Sequence, residues 1–118
     1  HLYYRKDRLN KPKTSIKCIK INKNQGWCND VNFPKKYNQL FRVNNYTKHE
    51  KLFRKDHKYN LLIPIKYNFN NPKVGRGSCI FIHLTKNYKP TEGCVALKEK
   101  DFLIMLKLIK KNTKIKII

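Results

Sequence analysis

The most strand-like segment of the chain is the stretch SCIFIHL at positions 78–84. Its aromatic and β-branched residues, Ile80, Phe81 and Ile82, favour a strand. Because the stretch is apolar almost to its end, we expect it to lie at the centre of a sheet, with His83 at the end of the strand.

Two neighbouring patterns complete the expected core. The run YNLLIPIKY at 59–67 predicts a second buried strand, which Pro64 restricts to an edge or a bulge. Apolar residues at helical spacing predict one helix over 98–111. Acidic residues in its first turn and lysines in its last turn fit the helix dipole. These apolar positions are Phe102, Met105, Leu106 and Ile109.

The rest of the chain is predicted with shorter elements. Alternating patterns predict strands over 15–21 and 114–118, and residues 1–13 predict a frayed start or a first edge strand. Asn, Gly and Pro are dense between 22 and 45, which predicts a long structured loop. Residues 50–55 favour a short helical turn. We therefore expect a mainly β fold, a mixed sheet or sandwich, with one principal helix.

Length and charge restrict the classes of protein. At 118 residues and 14.2 kDa, the chain has room for one domain spanning 1–118, and it contains no apolar run long enough to span a membrane. The formal net charge is +21, so a basic nucleic-acid-binding module is one hypothesis. However, Lys outnumbers Arg 23 to 5 and the cations are dispersed, whereas specific phosphate and guanine contacts favour Arg. Compositional drift explains such a charge equally well.

Cysteines and histidines do not follow a metal-binding pattern. No two of the four cysteines have C-x-x-C spacing, so we expect no metal. Cys18 and Cys28 could form a disulfide in an exported protein, and Cys79 is expected to be a buried thiol. Cys94 differs, because it lies in a turn before the helix and 11 residues after His83. A turn between the two could place the imidazole beside the thiol, as a nucleophilic cysteine requires.

Longer motifs carry a family resemblance. The string GRGSCIFIH at 75–83, followed by PTEGCVAL at 90–97, resembles the YkuD-like L,D-transpeptidase catalytic domain, in the branch that has GRGSxIFxH and PTxGCVAL. Further similarity lies in GWCND at 26–30 with YN at 37–38, in HE at 49–50 and in YNL at 59–61. The resemblance to the family is therefore strongest over 26–105. The resemblance implies a mixed β fold with one helix beside the active-site cleft.

The resemblance also implies a chemistry. Cys94 would be the nucleophile and His83 the base, in an enzyme that transfers stem peptides of peptidoglycan from a donor to an acceptor amine. Backbone groups of Gly93, Cys94, Glu92 and Thr91 would form the oxyanion hole, and a carbonyl of Thr91 or Glu92 would orient the histidine. No cofactor is implied. The location would be the periplasm or cell wall, after export.

Substrate contacts are expected at Arg76, Trp27, Tyr37 and His49, although Trp27 fits a core anchor better and His49 a structural hydrogen bond. Many relatives carry S-H-G-C with an Arg two residues after the Cys, where this chain has Glu92 and Ala96. The donor carboxylate would then be held by Arg76 or a lysine. Two other classes stay open, the basic module and an inactive relative that binds peptidoglycan.

Overall fold

The computed structural model describes residues 1–88, 91 and 93–117, and over these it has eight strands and one helix. The predicted mainly β fold with a single principal helix is confirmed. The strands are β1 Leu2–Tyr4, β2 Cys18–Lys20, β3 Gln25–Cys28, β4 Leu40–Arg42, β5 His49–Lys51, β6 Leu61–Pro64, β7 Phe81–Leu84 and β8 Val95–Leu97, and the helix is α1 Glu99–Leu108.

Five strands form one mixed sheet in the order β2-β1-β6-β7-β8. β7 is antiparallel to β6 and parallel to β8, and β1 is antiparallel to β6 and parallel to β2. The prediction of a frayed start or edge strand at the N-terminus is wrong. Leu2, Tyr3 and Tyr4 are all buried between two partner strands, because their side chains complete the core on both faces of the sheet.

Both buried strands are interior strands of the sheet, but β6 rather than β7 lies at its centre. β6 is the central strand, and β7 is the next one along, beside the edge strand β8. Pro64 is tolerated in an interior strand because it is the last residue of β6, and the ladder continues with the Ile65 amide donating to the Ile80 carbonyl at 2.9 Å. β7 starts later than expected, since Cys79 has a φ of +60° and interrupts the extended backbone.

A second, three-stranded sheet in the order β4-β3-β5 replaces the predicted loop and helical turn. Trp27 pairs with Leu40, and Cys28 pairs with His49. The Asp30 carboxylate fixes the turn beside this sheet by accepting the amide of Lys48 at 2.9 Å. These strands escaped detection because they are three or four residues long and rich in polar residues.

Two apolar clusters cover opposite faces of the five-stranded sheet. Along β7, Ile82 and Leu84 belong to one cluster and Phe81 to the other, as the alternation of a strand requires. Helix α1 packs on the first cluster through Phe102 and Leu106. The second cluster contains Trp27 of the smaller sheet together with the buried rings of Tyr3, Tyr59 and Phe81.

The helix and the residues after it differ from the prediction in two ways. The helix ends at Leu108 rather than 111, because Ile109 adopts an extended conformation, with φ −80° and ψ 154°. No strand forms over 114–117, where Ile115 and Ile117 are exposed, and Ile118 lies outside the described residues. In the described part of the chain, no helix has the length and apolar character needed to cross a membrane.

Candidate active site

The pairing of β7 with β8 brings His83 and the start of β8 together. Ile82 pairs with Val95 and His83 pairs with Ala96, so Cys94 lies opposite Phe81. Paired residues of adjacent strands point to the same face, and so do residues two apart along one strand. Cys94 and His83 therefore share one face of the sheet, as diagonal neighbours on adjacent strands.

This shared face is the one that carries the aromatic cluster. Cys94 packs against that cluster, whereas Ile82, Val95 and Leu97 belong to the face covered by α1. The helix therefore packs on the opposite face of the sheet from the thiol. The expectation of a helix beside the cleft is corrected, because Phe102 and Leu106 are needed to close the other core.

The Cys94 thiol is held by backbone groups. Its Sγ donates to the Cys79 carbonyl at 3.2 Å and accepts the Phe81 amide at 3.5 Å. Burial raises the pKa of the Cys94 thiol, the Phe81 amide partly offsets this rise, and the charge of Glu50 adds to it. Cys94 therefore rests as a neutral thiol at neutral pH, so a base must remove its proton before it can attack.

His83 is 7% exposed, and its Nδ1 lies 2.9 Å from the carbonyl oxygen of Leu84. A protonated Nδ1 that donates to this carbonyl leaves the lone pair on Nε2, which is the tautomer that a general base needs. We expected the orienting carbonyl to be that of Thr91 or Glu92. The carbonyl of Leu84 occupies that place instead, and Glu92 lies outside the described residues.

The turn before β8 is fixed by Thr91 and Gly93. The Thr91 hydroxyl donates to the Cys94 carbonyl. Gly93 has a φ of +82°, which L side chains rarely adopt, and a Cβ there would lie 3.2 Å from Ile80 Cδ1. Both residues therefore help to fix the backbone that carries the thiol, and Pro90 of the motif is outside the described residues.

Trp27 and Tyr37 lie in the core, each 4% exposed. The Asn38 Oδ1 accepts the Trp27 indole N–H at 2.8 Å and the Cys79 amide at 3.3 Å. The Tyr37 phenolic oxygen accepts the Gly77 amide at 3.3 Å. In this structure both rings support the segment that leads into β7, instead of lining an open surface.

Arg76 and His49 differ in how accessible they are to a ligand. Arg76 is exposed in the turn before Gly77, and its backbone amide donates to the Lys73 carbonyl at 3.1 Å. His49 is half-buried, with Nδ1 2.7 Å from the Thr47 carbonyl oxygen and its ring edge-on to Phe41 at 5.5 Å. Arg76 is therefore accessible to a ligand, while His49 is bound within its own sheet.

Three linked side chains, of which Tyr59 packs against His83, were not predicted as site residues. The Tyr59 ring lies 5.6 Å from the His83 ring, its hydroxyl donates to Glu50 at 3.0 Å, and Arg54 pairs with Glu50 at 3.1 Å. The HE and YNL motifs gave the only signal for Glu50 and Tyr59. Arg54 lay in a segment predicted as a helical turn, so nothing in the sequence connected it with the site.

Cys18, Cys28, Cys79 and Cys94 are free thiols in this structure. Over residues 1–88, 91 and 93–117, no group of three His, Cys, Asp or Glu side chains is arranged to hold a metal ion. The candidate site therefore consists of a thiol, an imidazole and the backbone around them.

Comparison with known proteins identifies the family of the chain. The family model for the YkuD L,D-transpeptidase catalytic domain matches residues 11–117. The chain therefore belongs to the YkuD family of L,D-transpeptidase catalytic domains, as the motifs predicted. No curated protein and no solved structure gives a significant match.

Proposed function

We propose that this chain is a peptidoglycan L,D-transpeptidase that uses Cys94 as its nucleophile and His83 as its general base. The observation that carries the proposal is the register of β7 and β8, which places the two side chains on one face of adjacent strands. Family membership supports the class of reaction. The neutral resting thiol supports the need for the nearby imidazole.

The first step is acylation. His83 Nε2 takes the Cys94 proton as Sγ attacks the carbonyl carbon on the L-centre of a diaminopimelate-type residue in the donor stem peptide. The tetrahedral intermediate collapses when its C–N bond breaks, and the protonated His83 returns its proton to the leaving D-amino acid. A thioester on Cys94 remains.

The second step transfers the acyl group. The amine of an acceptor stem peptide loses a proton to His83 and attacks the thioester carbonyl, and the Cys94 thiolate leaves and recovers that proton. The product is a cross-link. Water in place of the amine would release the free acid, which is a carboxypeptidase side reaction.

The tetrahedral oxyanion needs donors fixed before the reaction. We assign this role to backbone amides of Gly93 and Cys94, just before β8. The positive φ of Gly93 and the hydrogen bond from the Thr91 hydroxyl to the Cys94 carbonyl support this assignment, because they define the direction of the backbone at the thiol.

Charge supports a carboxylate-bearing substrate. Stem peptides carry free carboxylates, and the net charge of +21 attracts anionic polymers. Ala96 lies opposite His83, where many relatives have the Arg that binds the donor carboxylate, so another cation must replace it. The exposed Arg76 is our candidate, and a cell-wall substrate implies an exported protein in the periplasm or cell wall.

The test is product analysis with a purified disaccharide-tetrapeptide. We expect cross-linked dimers and released D-amino acid with the wild type and with Cys18→Ala, and neither product with Cys94→Ala. Cys18→Ala is a matched control, since it removes a half-buried thiol from β2, the edge strand at the opposite end of the sheet from β8. Absence of products with the folded wild type would contradict the proposal.

The same samples separate the two other hypotheses. An inactive relative would bind the glycopeptide without turnover and without dependence on Cys94. A basic nucleic-acid module would bind RNA with an affinity that falls steeply with salt and would ignore the glycopeptide.

A further inference from the structure

A cluster of three side chains, one of which packs against His83, takes no part in the steps above. It consists of Tyr59, Glu50 and Arg54. We propose that Tyr59 and Glu50 are positioning residues for His83, Tyr59 by packing against its imidazole and Glu50 by holding the Tyr59 hydroxyl. This inference rests on the proposed function for its catalytic consequence.

Packing provides the first argument. Tyr59 is 7% exposed, and its ring centroid lies 5.6 Å from that of His83 and 5.7 Å from that of Phe81. The Nδ1 contact with the Leu84 carbonyl fixes one edge of the imidazole. The tyrosine ring packs against it, so the imidazole has two restraints on its rotation.

Hydrogen bonding provides the second argument, because Tyr59 is itself held in place. Its hydroxyl donates to Glu50 Oε1 at 3.0 Å, and Arg54 Nη1 donates to the same oxygen at 3.1 Å. The Arg54 guanidinium also lies 4.9 Å from the Tyr59 ring centroid and pairs with Asp56 at 2.6 Å. The tyrosine is therefore bound at its hydroxyl and covered on its face.

Topology explains why this contact affects the site. Glu50 belongs to β5 of the three-stranded sheet, whereas Tyr59 lies two residues before β6 of the five-stranded sheet. Their hydrogen bond connects the two sheets beside His83. A change in the packing of the sheets would therefore be transmitted to the imidazole through the tyrosine ring.

Charge provides the third argument. Burial raises the pKa of the Cys94 thiol and the negative charge of Glu50 adds to this rise, while burial also raises the pKa of Tyr59, which stays a neutral donor. A nearby carboxylate disfavours a thiolate. Glu50 should therefore add to the effect of burial in keeping Cys94 protonated at rest.

Two variants separate the effect of the hydrogen bond between Tyr59 and Glu50 from the effect of the charge of Glu50. Tyr59→Phe keeps the ring against His83 and removes the hydrogen bond to Glu50, whereas Glu50→Gln keeps an acceptor for the hydroxyl and removes the charge. Matched controls are Tyr46→Phe, at a tyrosine that is 73% exposed, and Glu99→Gln, in the first turn of α1. Thermal unfolding of each variant checks that the fold is retained.

The first readout is the pH profile of alkylation of Cys94 by iodoacetamide, resolved by peptide mapping. We expect Glu50→Gln to move the midpoint to lower pH and Glu99→Gln to leave it unchanged. The titratable or charged groups that face Cys94 or its neighbours from the surrounding elements are His83 on β7, Cys79 before β7, Glu50 on β5, and Tyr59 and Arg54 between β5 and β6.

The second readout is turnover of the glycopeptide. We expect kcat to fall by about tenfold or more in Tyr59→Phe with KM nearly unchanged, because general-base catalysis depends on the orientation of the base. A folded Glu50→Gln with an unshifted alkylation profile, or a folded Tyr59→Phe with unchanged kcat, would overturn the proposal. Alkylation needs no substrate, so its outcome is independent of whether the protein is a transpeptidase.

Discussion

Gly93 shows how one residue sets the geometry of the site. It has the same φ, +82°, as Gly75, but a Cβ at Gly93 would lie 3.2 Å from Ile80 Cδ1, whereas a Cβ at Gly75 would meet nothing within 4 Å. The two glycines therefore share a backbone conformation and differ in their surroundings and in their distance along the chain from Cys94.

This pair leads to a prediction. Alanine at either position should destabilise the fold by about 1–2 kcal/mol, the cost of a left-handed conformation for an L-residue. Only Gly93→Ala should also slow acylation of Cys94, because the contact with Ile80 displaces the turn that holds the thiol. Denaturant unfolding and the rate of thioester formation check this, and an equal loss of rate in Gly75→Ala would contradict it.

At the scale of single residues, motifs and spacing predicted Cys94 and His83 as the reacting pair, and the register of β7 and β8 puts both on one face of the sheet. The sequence could not identify the partners of the thiol. The Cys79 carbonyl and the Phe81 amide are backbone groups, which every residue possesses, and their approach depends on the positive φ of Cys79. The same holds for the Leu84 carbonyl at His83.

Helix α1 stabilises the sheet from the face opposite the site. Leu106 is fully buried in the cluster beneath the helix, while Leu108 at its end is 74% exposed. The helix should therefore contribute to the stability of the domain without contacting the reacting groups.

The two leucines test this division. Leu106→Ala should lower the free energy of unfolding by about 2–5 kcal/mol, and Leu108→Ala by less than about 0.5 kcal/mol. Urea unfolding measures both. Below the unfolding transition, the alkylation rate of Cys94 in both variants should equal that of the wild type, and a faster rate in Leu106→Ala would show that the helix does support the thiol.

At the scale of elements, long apolar runs were predictable and short polar strands were not. The periodicity of residues 98–111 predicted α1, with an end three residues too late. β3, β4 and β5 depend on pairing between residues distant in sequence, such as Trp27 with Glu50, which local patterns do not contain. Residues 114–117 show the opposite error, since their alternating pattern predicted a strand that does not form without a partner strand.

The whole molecule carries a formal charge of +21 on 118 residues, and the described chain has only three ion pairs, all involving Arg5 or Arg54. Most lysines therefore repel one another without compensation, and this repulsion opposes folding. Salt screens such repulsion, with a Debye length near 10 Å at about 0.1 M.

We therefore expect Tm to rise by about 4 °C or more when sodium chloride is raised from about 10 mM to about 500 mM. Differential scanning calorimetry measures this. Sodium sulfate at the same ionic strength shows whether the anion contributes separately from screening. A Tm that stays constant or falls in both salts would mean that the lysines are too widely spaced to oppose folding.

The central claim is that Cys94 forms a thioester with a stem peptide. The most direct test is the intact mass of the protein, quenched in acid within the first turnovers on disaccharide-tetrapeptide, followed by peptide mapping of the adduct. Our account predicts a mass increase equal to the donor minus its terminal D-amino acid, located on Cys94 and absent from Cys94→Ala. An adduct on another cysteine, or turnover that persists in Cys94→Ala, would contradict it.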